Sequence, residues 1–158
     1  MSELSHVGPS GEARMVDVSS KDSTERTARA TGVIRMRSST LQAIVDNTLA
    51  KGDVLTVAKV AGIMAAKRTA ELIPLCHPLA VTDVQVTLTS DDTIPGLRVE
   101  TSVRTTGKTG VEMEAITAAA VTLITVYDMA KAVDRDMQIT DICLQEKAGG
   151  RSGSWQRK

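Results

Sequence analysis

Cys76 and His77 stand side by side in the segment Leu72-Ile-Pro-Leu-Cys-His-Pro-Leu79, which holds one of two cysteines and one of two histidines in the chain. An imidazole and a thiol can act as base and nucleophile, or as the polar wall of a small-molecule pocket. Pro74 and Pro78 fix their own φ and disfavour helical backbone at Ile73 and His77, so an extended, stiff loop is expected. Adjacent side chains on an extended chain point opposite ways, which makes Cys76 and His77 a poor dyad or chelate. His6, the other histidine, lies in a polar stretch, so no second ligand cluster completes a metal site. A substrate-contacting His77 and a structural one both remain open.

Three further groups carry chemistry. Asp128 and Lys131 are three residues apart in a run that is otherwise apolar on nearly all sides, so on a helix they are neighbours. They read either as a structural ion pair or as an acid/base pair tuned by desolvation and mutual charge in a cleft. Glu112 and Glu114 flank Met113 where that run begins. Acidic residues there suit a helix dipole, and in an extended entry segment both would face one way. Thr106-Gly-Lys-Thr-Gly110 resembles a phosphate loop, but the position five before Gly107 is Ser102, so the nucleotide-triphosphatase motif fails. Anion binding by glycines, a lysine and a helix N-terminus stays open beside a plain turn.

These residues need a scaffold to bring them together. Residues 1–28 form a polar arm, expected to be partly disordered and to gain order by docking on a pocket or neighbour. Alternation from Thr31 predicts a strand, and Ser39 or Thr40 caps a helix to about Ala50. Asp53 caps a second helix running to Glu71, thin on one side at Ala58, Ala61, Gly62 and Ala65. Strands follow at Val81–Leu88 and Leu97–Thr105, then a long helix over 111–133 and a strand over 138–146. The order is that of an α+β, ferredoxin-like domain: an antiparallel four-stranded sheet with helices on one face. The catalytic domain is expected over 29–147, with a flexible Gly/Ser/basic tail over 148–158.

Composition excludes several classes. With 19 basic and 19 acidic residues the net charge is zero, so no global field draws nucleic acid or a membrane surface. The chain has no Phe, one Tyr and one Trp, so an RNA-binding sheet with stacking aromatics is set aside. Cys76 and Cys143 are too few for a disulfide framework, and no run of 18 apolar residues offers a membrane span. A cytoplasmic location is expected.

Four segments then carry a resemblance: Met15-Val-Asp-Val with Lys21; Lys67-Arg-Thr with Glu71-Leu-Ile-Pro-Leu-Cys-His-Pro-Leu79; Thr106-Gly-Lys-Thr-Gly-Val-Glu-Met-Glu-Ala115; and Tyr127-Asp-Met with Lys131-Ala-Val-Asp134. The chain resembles the MoaC family, the cyclic pyranopterin monophosphate synthases of molybdenum cofactor biosynthesis, over nearly its whole length. The resemblance implies conversion of 3′,8-cyclo-7,8-dihydro-GTP to cyclic pyranopterin monophosphate with loss of diphosphate. It also implies a hexamer, a trimer of dimers, with pockets at subunit interfaces. Matched motif by motif, it makes Asp128 and Lys131 catalytic, and Leu75, Cys76, His77, Met113 and Glu114 substrate contacts. Lys51, Glu112 and Lys147 are further pocket residues by the same match.

Those residue types suit the chemistry implied. Lys51, Lys131 and Lys147, with Lys108 and Arg151 nearby in sequence, can offset a triphosphate and a diphosphate leaving group. Lys131 is the expected general acid/base and Asp128 its orienting partner, while Glu114 can hold amino and ring N–H groups. No cofactor is required; a divalent cation such as Mg is left open as a companion of the diphosphate. Three positions depart from the family pattern: Ala130, where Cys is common; Ala70, which is small; and the tail after Gly150. The competing reading is a non-catalytic nucleotide- or pterin-sensing module.

Overall fold

A computed structural model describes Val7 and residues 10–158; His6 lies outside the described residues. Five strands form one antiparallel sheet: β1 (Thr24–Arg35), β2 (Val81–Asp91), β3 (Gly96–Gly107), β4 (Gln138–Ala148) and β5 (Trp155–Gln156), in the order β2-β3-β1-β4-β5. The helices are α1 (Ser38–Val45), α2 (Val54–Lys67), the single turn α3 (Thr69–Leu72) and α4 (Glu112–Ala130). The architecture is thus α+β with an open antiparallel sheet.

The four-stranded expectation is corrected to five. The polar tail turns back through Gly149, Gly150 and Gly153, all at positive φ, and lays Trp155 and Gln156 beside Lys147 and Glu146. A two-residue strand has no periodicity to reveal it in sequence. Strand β1 begins at Thr24 rather than Thr31, because its full length pairs with β3 from Thr24↔Gly107 to Arg35↔Gly96. Arg68 divides the expected second helix into α2 and α3, and α1 stops at Val45.

Helix starts obey capping physics in one case and evade it in another. Asp53 accepts from the Thr56 amide at 3.0 Å and so caps α2. Helix α1 has no cap of its own, since Arg37 occupies that position. Its cap comes from far along the chain: the buried carboxylate of Asp134 accepts from the Arg37 amide at 2.9 Å and from the Thr40 hydroxyl at 3.0 Å.

Helix α4 is apolar nearly all round because it is covered on both sides, by α2 and by the inner face of the sheet. Leu123, Val126 and Ala130 are fully buried there. It is long and apolar enough to cross a membrane, but more than half of it is buried inside this domain. The outer face of β1–β4 carries Arg29, Arg98, Glu100 and Arg104 and no aromatic ring.

The thin side of α2 does meet α4. A Cβ on Gly62 would lie 2.1 Å from the Thr122 hydroxyl and 3.1 Å from the Ala118 carbonyl, and Thr122 is itself bonded to that carbonyl at 2.7 Å. Gly62→Ala therefore overpacks a locked contact. The overpacking costs about 1–3 kcal/mol, against about 1 kcal/mol gained in helix propensity. A net loss of stability is expected in urea unfolding. Adding Thr122→Ala, which removes the clashing oxygen, should recover part of it.

Candidate active site

The residues singled out in the sequence fall into two clusters at opposite ends of α4. At its N-terminal end, the first turn of the helix faces the loop after α3 across a recess of about 340 Å³. Leu75, Cys76, His77, Glu112, Met113 and Glu114 all line it. That size falls within the range of small-molecule sites.

The loop is less uniformly extended than expected. Cys76 N–H donates to the Ile73 carbonyl at 3.1 Å, closing a turn with Pro74 at its second position; the extended run starts after it. Cys76 and His77 both line the recess. His77 faces the arm, its Nε2 2.7 Å from the Val16 carbonyl. Cys76 lies on the side of Glu114. Burial, and then the charge of Glu114, push the Cys76 thiol above its usual value, so at neutral pH it is a thiol and a poor nucleophile.

Glu114 is only 4% exposed. Burial first, and then repulsion by Glu112, raise its carboxyl above the ordinary range. A carboxyl with a raised folded pKa weighs against folding once pH exceeds that pKa. Glu114→Gln is therefore expected to raise the melting temperature at neutral pH and to raise it less, or not at all, in acid. If the carboxylate holds substrate N–H groups, the same change should weaken substrate binding about 10- to 100-fold. Calorimetry and substrate titration on one preparation check both halves.

A basic recess adjoins the first one, sharing Lys21, Thr109, Gly110 and Glu112 with it. Lys147 pairs with Glu112 at 3.2 Å and donates to Ser152 at 2.8 Å. Arg26 and Lys108 line it too. The Arg26 Nε is buried with no hydrogen-bond partner among the described residues, an orphaned donor beside an empty polar space. A Cβ on Gly110 would fall 2.0 Å from a Glu112 oxygen, so a larger residue there would displace the Glu112 carboxylate from Lys147.

The other cluster lies at the C-terminal end of α4. Asp128 is sixteen residues beyond Glu112, about 24 Å along the helix axis at ~1.5 Å per residue. One oxygen of Asp128 meets Lys131 at 2.7 Å and the other meets Lys51 at 2.9 Å. Lys51 also donates to the Asp128 backbone carbonyl at 3.0 Å. The hydrogen bond from Lys131, then that from Lys51, pull the Asp128 carboxyl down to about 2. Asp128 is thus an anion holding two ammonium groups. The expected cleft is not present within one copy, where Asp128 and Lys131 are each about half exposed. Ala130 is fully buried in the core, so a thiol there would not reach this cluster.

Sequence reasoning missed Arg26, which it assigned to the irregular arm, and the arm's own Val16 and Val18, which line the first recess. The alternation of Val16 and Val18 among polar neighbours, within a segment that carries the family resemblance, was the available signal. Among the described residues, no group of three or more His, Cys, Asp or Glu side chains could hold a metal ion.

Comparison with known proteins follows the same residues. The MoaC family profile matches residues 15–150. Proteins named cyclic pyranopterin monophosphate synthase from Brucella ovis, Brucella melitensis and Brucella abortus are each 58% identical over 153 residues, covering 97% of this chain and 93% of each relative. The match spans the recess, the basic corner and the Lys51–Asp128–Lys131 cluster alike, and the chain belongs to the MoaC family.

Proposed function

We propose that this chain is a cyclic pyranopterin monophosphate synthase of molybdenum cofactor biosynthesis, converting the cyclic dihydro-GTP substrate to cyclic pyranopterin monophosphate and diphosphate. The observation that carries the reading is the division of the site. One end of α4 offers a base-sized recess beside a phosphate-sized basic corner, and the other offers an acid/base cluster that no wall encloses. Each end supplies what the other lacks.

The two ends come together when a second copy docks. Helix α2 turns Val57, Val60 and Met64 outward at helical spacing, and Ile124 of α4 is also exposed. An apolar stripe of that kind suits burial against another subunit. The reading therefore includes a homo-oligomer, a hexamer built as a trimer of dimers, in which Lys51, Asp128 and Lys131 of one copy face the Cys76–His77–Glu114 recess of another. Enclosure would set Lys131, held by Asp128 at 2.7 Å, against bound substrate, where it can take part in proton transfer. The strand order supports a ferredoxin-like core with β5 added at its edge.

Roles follow from position. Glu114 holds the amino and ring N–H groups of the guanine-derived part, with Leu75, Cys76 and Met113 as walls and His77 as a positioning group. Arg26, Lys21 and Lys147 offset the phosphate charge. Lys131, oriented by Asp128, moves protons during ring opening and reclosure, while Lys51 stabilises developing negative charge. The cyclic phosphate closes as the P–O bond to diphosphate breaks, and the basic corner stabilises the departing anion. No resident cofactor is needed; a divalent cation such as Mg would enter with the diphosphate as its counterion.

A diphosphate-release assay with authentic substrate tests the reading. Turnover by the unaltered chain and its loss in a folded Lys131→Ala variant are expected. Tight binding without diphosphate release would replace the enzyme by a ligand-sensing module.

A further inference from the structure

The arm makes a polar contact with His77, and that contact constrains chemistry. The Val16 carbonyl carries only lone pairs, so at 2.7 Å the hydrogen of the contact must sit on His77 Nε2. In the neutral ring Nδ1 is then bare, and it makes no hydrogen bond among the described residues. The segment that supplies the carbonyl is seated by separate means. Val16 and Val18 are half-buried in the recess while Met15, Asp17 and Ser19 face out. Lys21 N–H closes a turn on the Val18 carbonyl at 3.0 Å, and Lys108 Nζ donates to the Ser19 carbonyl at 2.7 Å. None of these arm residues belongs to the hydrophobic core, so their ordered path serves the recess and not the fold.

We propose that the arm from Ala13 to Lys21 is a positioning element for His77: the Val16 carbonyl holds the ring in its Nε2–H form, so that Nδ1 presents an acceptor to a hydrogen-bond donor on the substrate. The inference rests on the recess being the substrate's base site. It adds a rule of selection: this wall recognises an amino, ring N–H or hydroxyl group and disfavours a carbonyl in the same place, because a lone pair would meet a lone pair. A neutral imidazole also places no second positive charge beside the basic corner.

The test uses the full chain with 15N-labelled histidine and His6→Gln, which leaves His77 as the sole histidine. Spectra are taken at about pH 8, above the ordinary histidine pKa of ~6.5. The expected result is a neutral ring with a slowly exchanging proton on Nε2. Val16→Gly with Val18→Gly, which loosens the arm outside the core, should make that proton exchange rapidly. It should also raise KM about tenfold, the scale of one misplaced hydrogen bond, while kcat changes less than about twofold. A proton on Nδ1, an Nε2 proton as labile as that of free imidazole, or an unchanged KM with the arm undocked would overturn the proposal. Absence of turnover in the unaltered chain strikes the substrate reading instead, and the spectra still decide whether the arm holds the ring.

Discussion

Lys131→Ala protein mixed with Glu114→Gln protein is expected to regain about a quarter of the normal activity, although each variant alone is far weaker. Lys131→Ala removes the proton-transfer group, a loss of about 10²- to 10⁴-fold. Glu114→Gln removes a charged hydrogen-bond acceptor, a loss of about 10- to 100-fold in kcat/KM. Glu114 lies in the first turn of α4 and Lys131 caps its last, about 26 Å apart along the axis at ~1.5 Å per residue. If each site takes Lys131 from one copy and Glu114 from another, a mixed pair holds one intact site and one doubly altered site. Random pairing at equal amounts makes half of the pairs mixed, and hence about a quarter of all sites intact. The variants are unfolded together and refolded, then assayed at substrate well below KM. Activity no greater than the average of the two parents would show that both residues act from the same copy. Light scattering on the unaltered chain, expected to give a mass well above one subunit, tests the assembly separately.

Asp134→Ala is expected to destabilise the fold by about 2–3 kcal/mol. Its carboxylate is almost fully buried and accepts from the Arg37 amide, the Thr40 hydroxyl and, at 3.2 Å, the Asp136 amide. Removing it leaves the start of α1 without a partner in a dry place. Burial pushes the Asp134 carboxyl up, but the Arg37 amide, the Thr40 hydroxyl and the Asp136 amide together outweigh it, and the carboxyl lies below its ordinary value. A depressed folded pKa contributes stability that is complete above the unfolded carboxyl pKa and fades as pH falls through the folded one. Asp134→Ala should therefore cost most near neutrality and progressively less in acid. Urea midpoints measured across that range give the test; a pH-independent loss would mean that the carboxylate charge is not what holds α1.

The chemistry of the site was more legible in the sequence than its geometry. Cys76-His77 between prolines, Glu112-Met113-Glu114 and Asp128 with Lys131 are unusual residues in telling local settings, and local settings survive in a linear string. The distance between them does not. Periodicity announces α4 but cannot say that its two charged ends face away from each other in one subunit. The exposure of Asp128 and Lys131 is hidden for the same reason: an apolar run implies burial of the run, and Met129 and Ala130 in its last turn are indeed buried while the two charges stand on the outer side. Arg26 escaped because β1 begins seven residues before its alternation becomes clear. The cap on α1 was hidden because its donor and acceptor lie 97 residues apart. Strand β5 was hidden because two residues carry no pattern.

In the assembly proposed above α4 carries a part of two sites, and its length then becomes a dimension of that assembly. Deleting one residue from its middle would swing one end by about 100° relative to the other and shorten it by ~1.5 Å. Either the recess or the lysine cluster would then miss its counterpart in the next subunit, even if the monomer refolded around the change. The buried middle of the helix could tolerate exchange of one aliphatic residue for another, since only volume is at stake there. It could not tolerate an insertion or a deletion. In that proposed assembly the helix would act as a ruler whose two marked ends are read by different molecules, and every subunit added would inherit the same spacing.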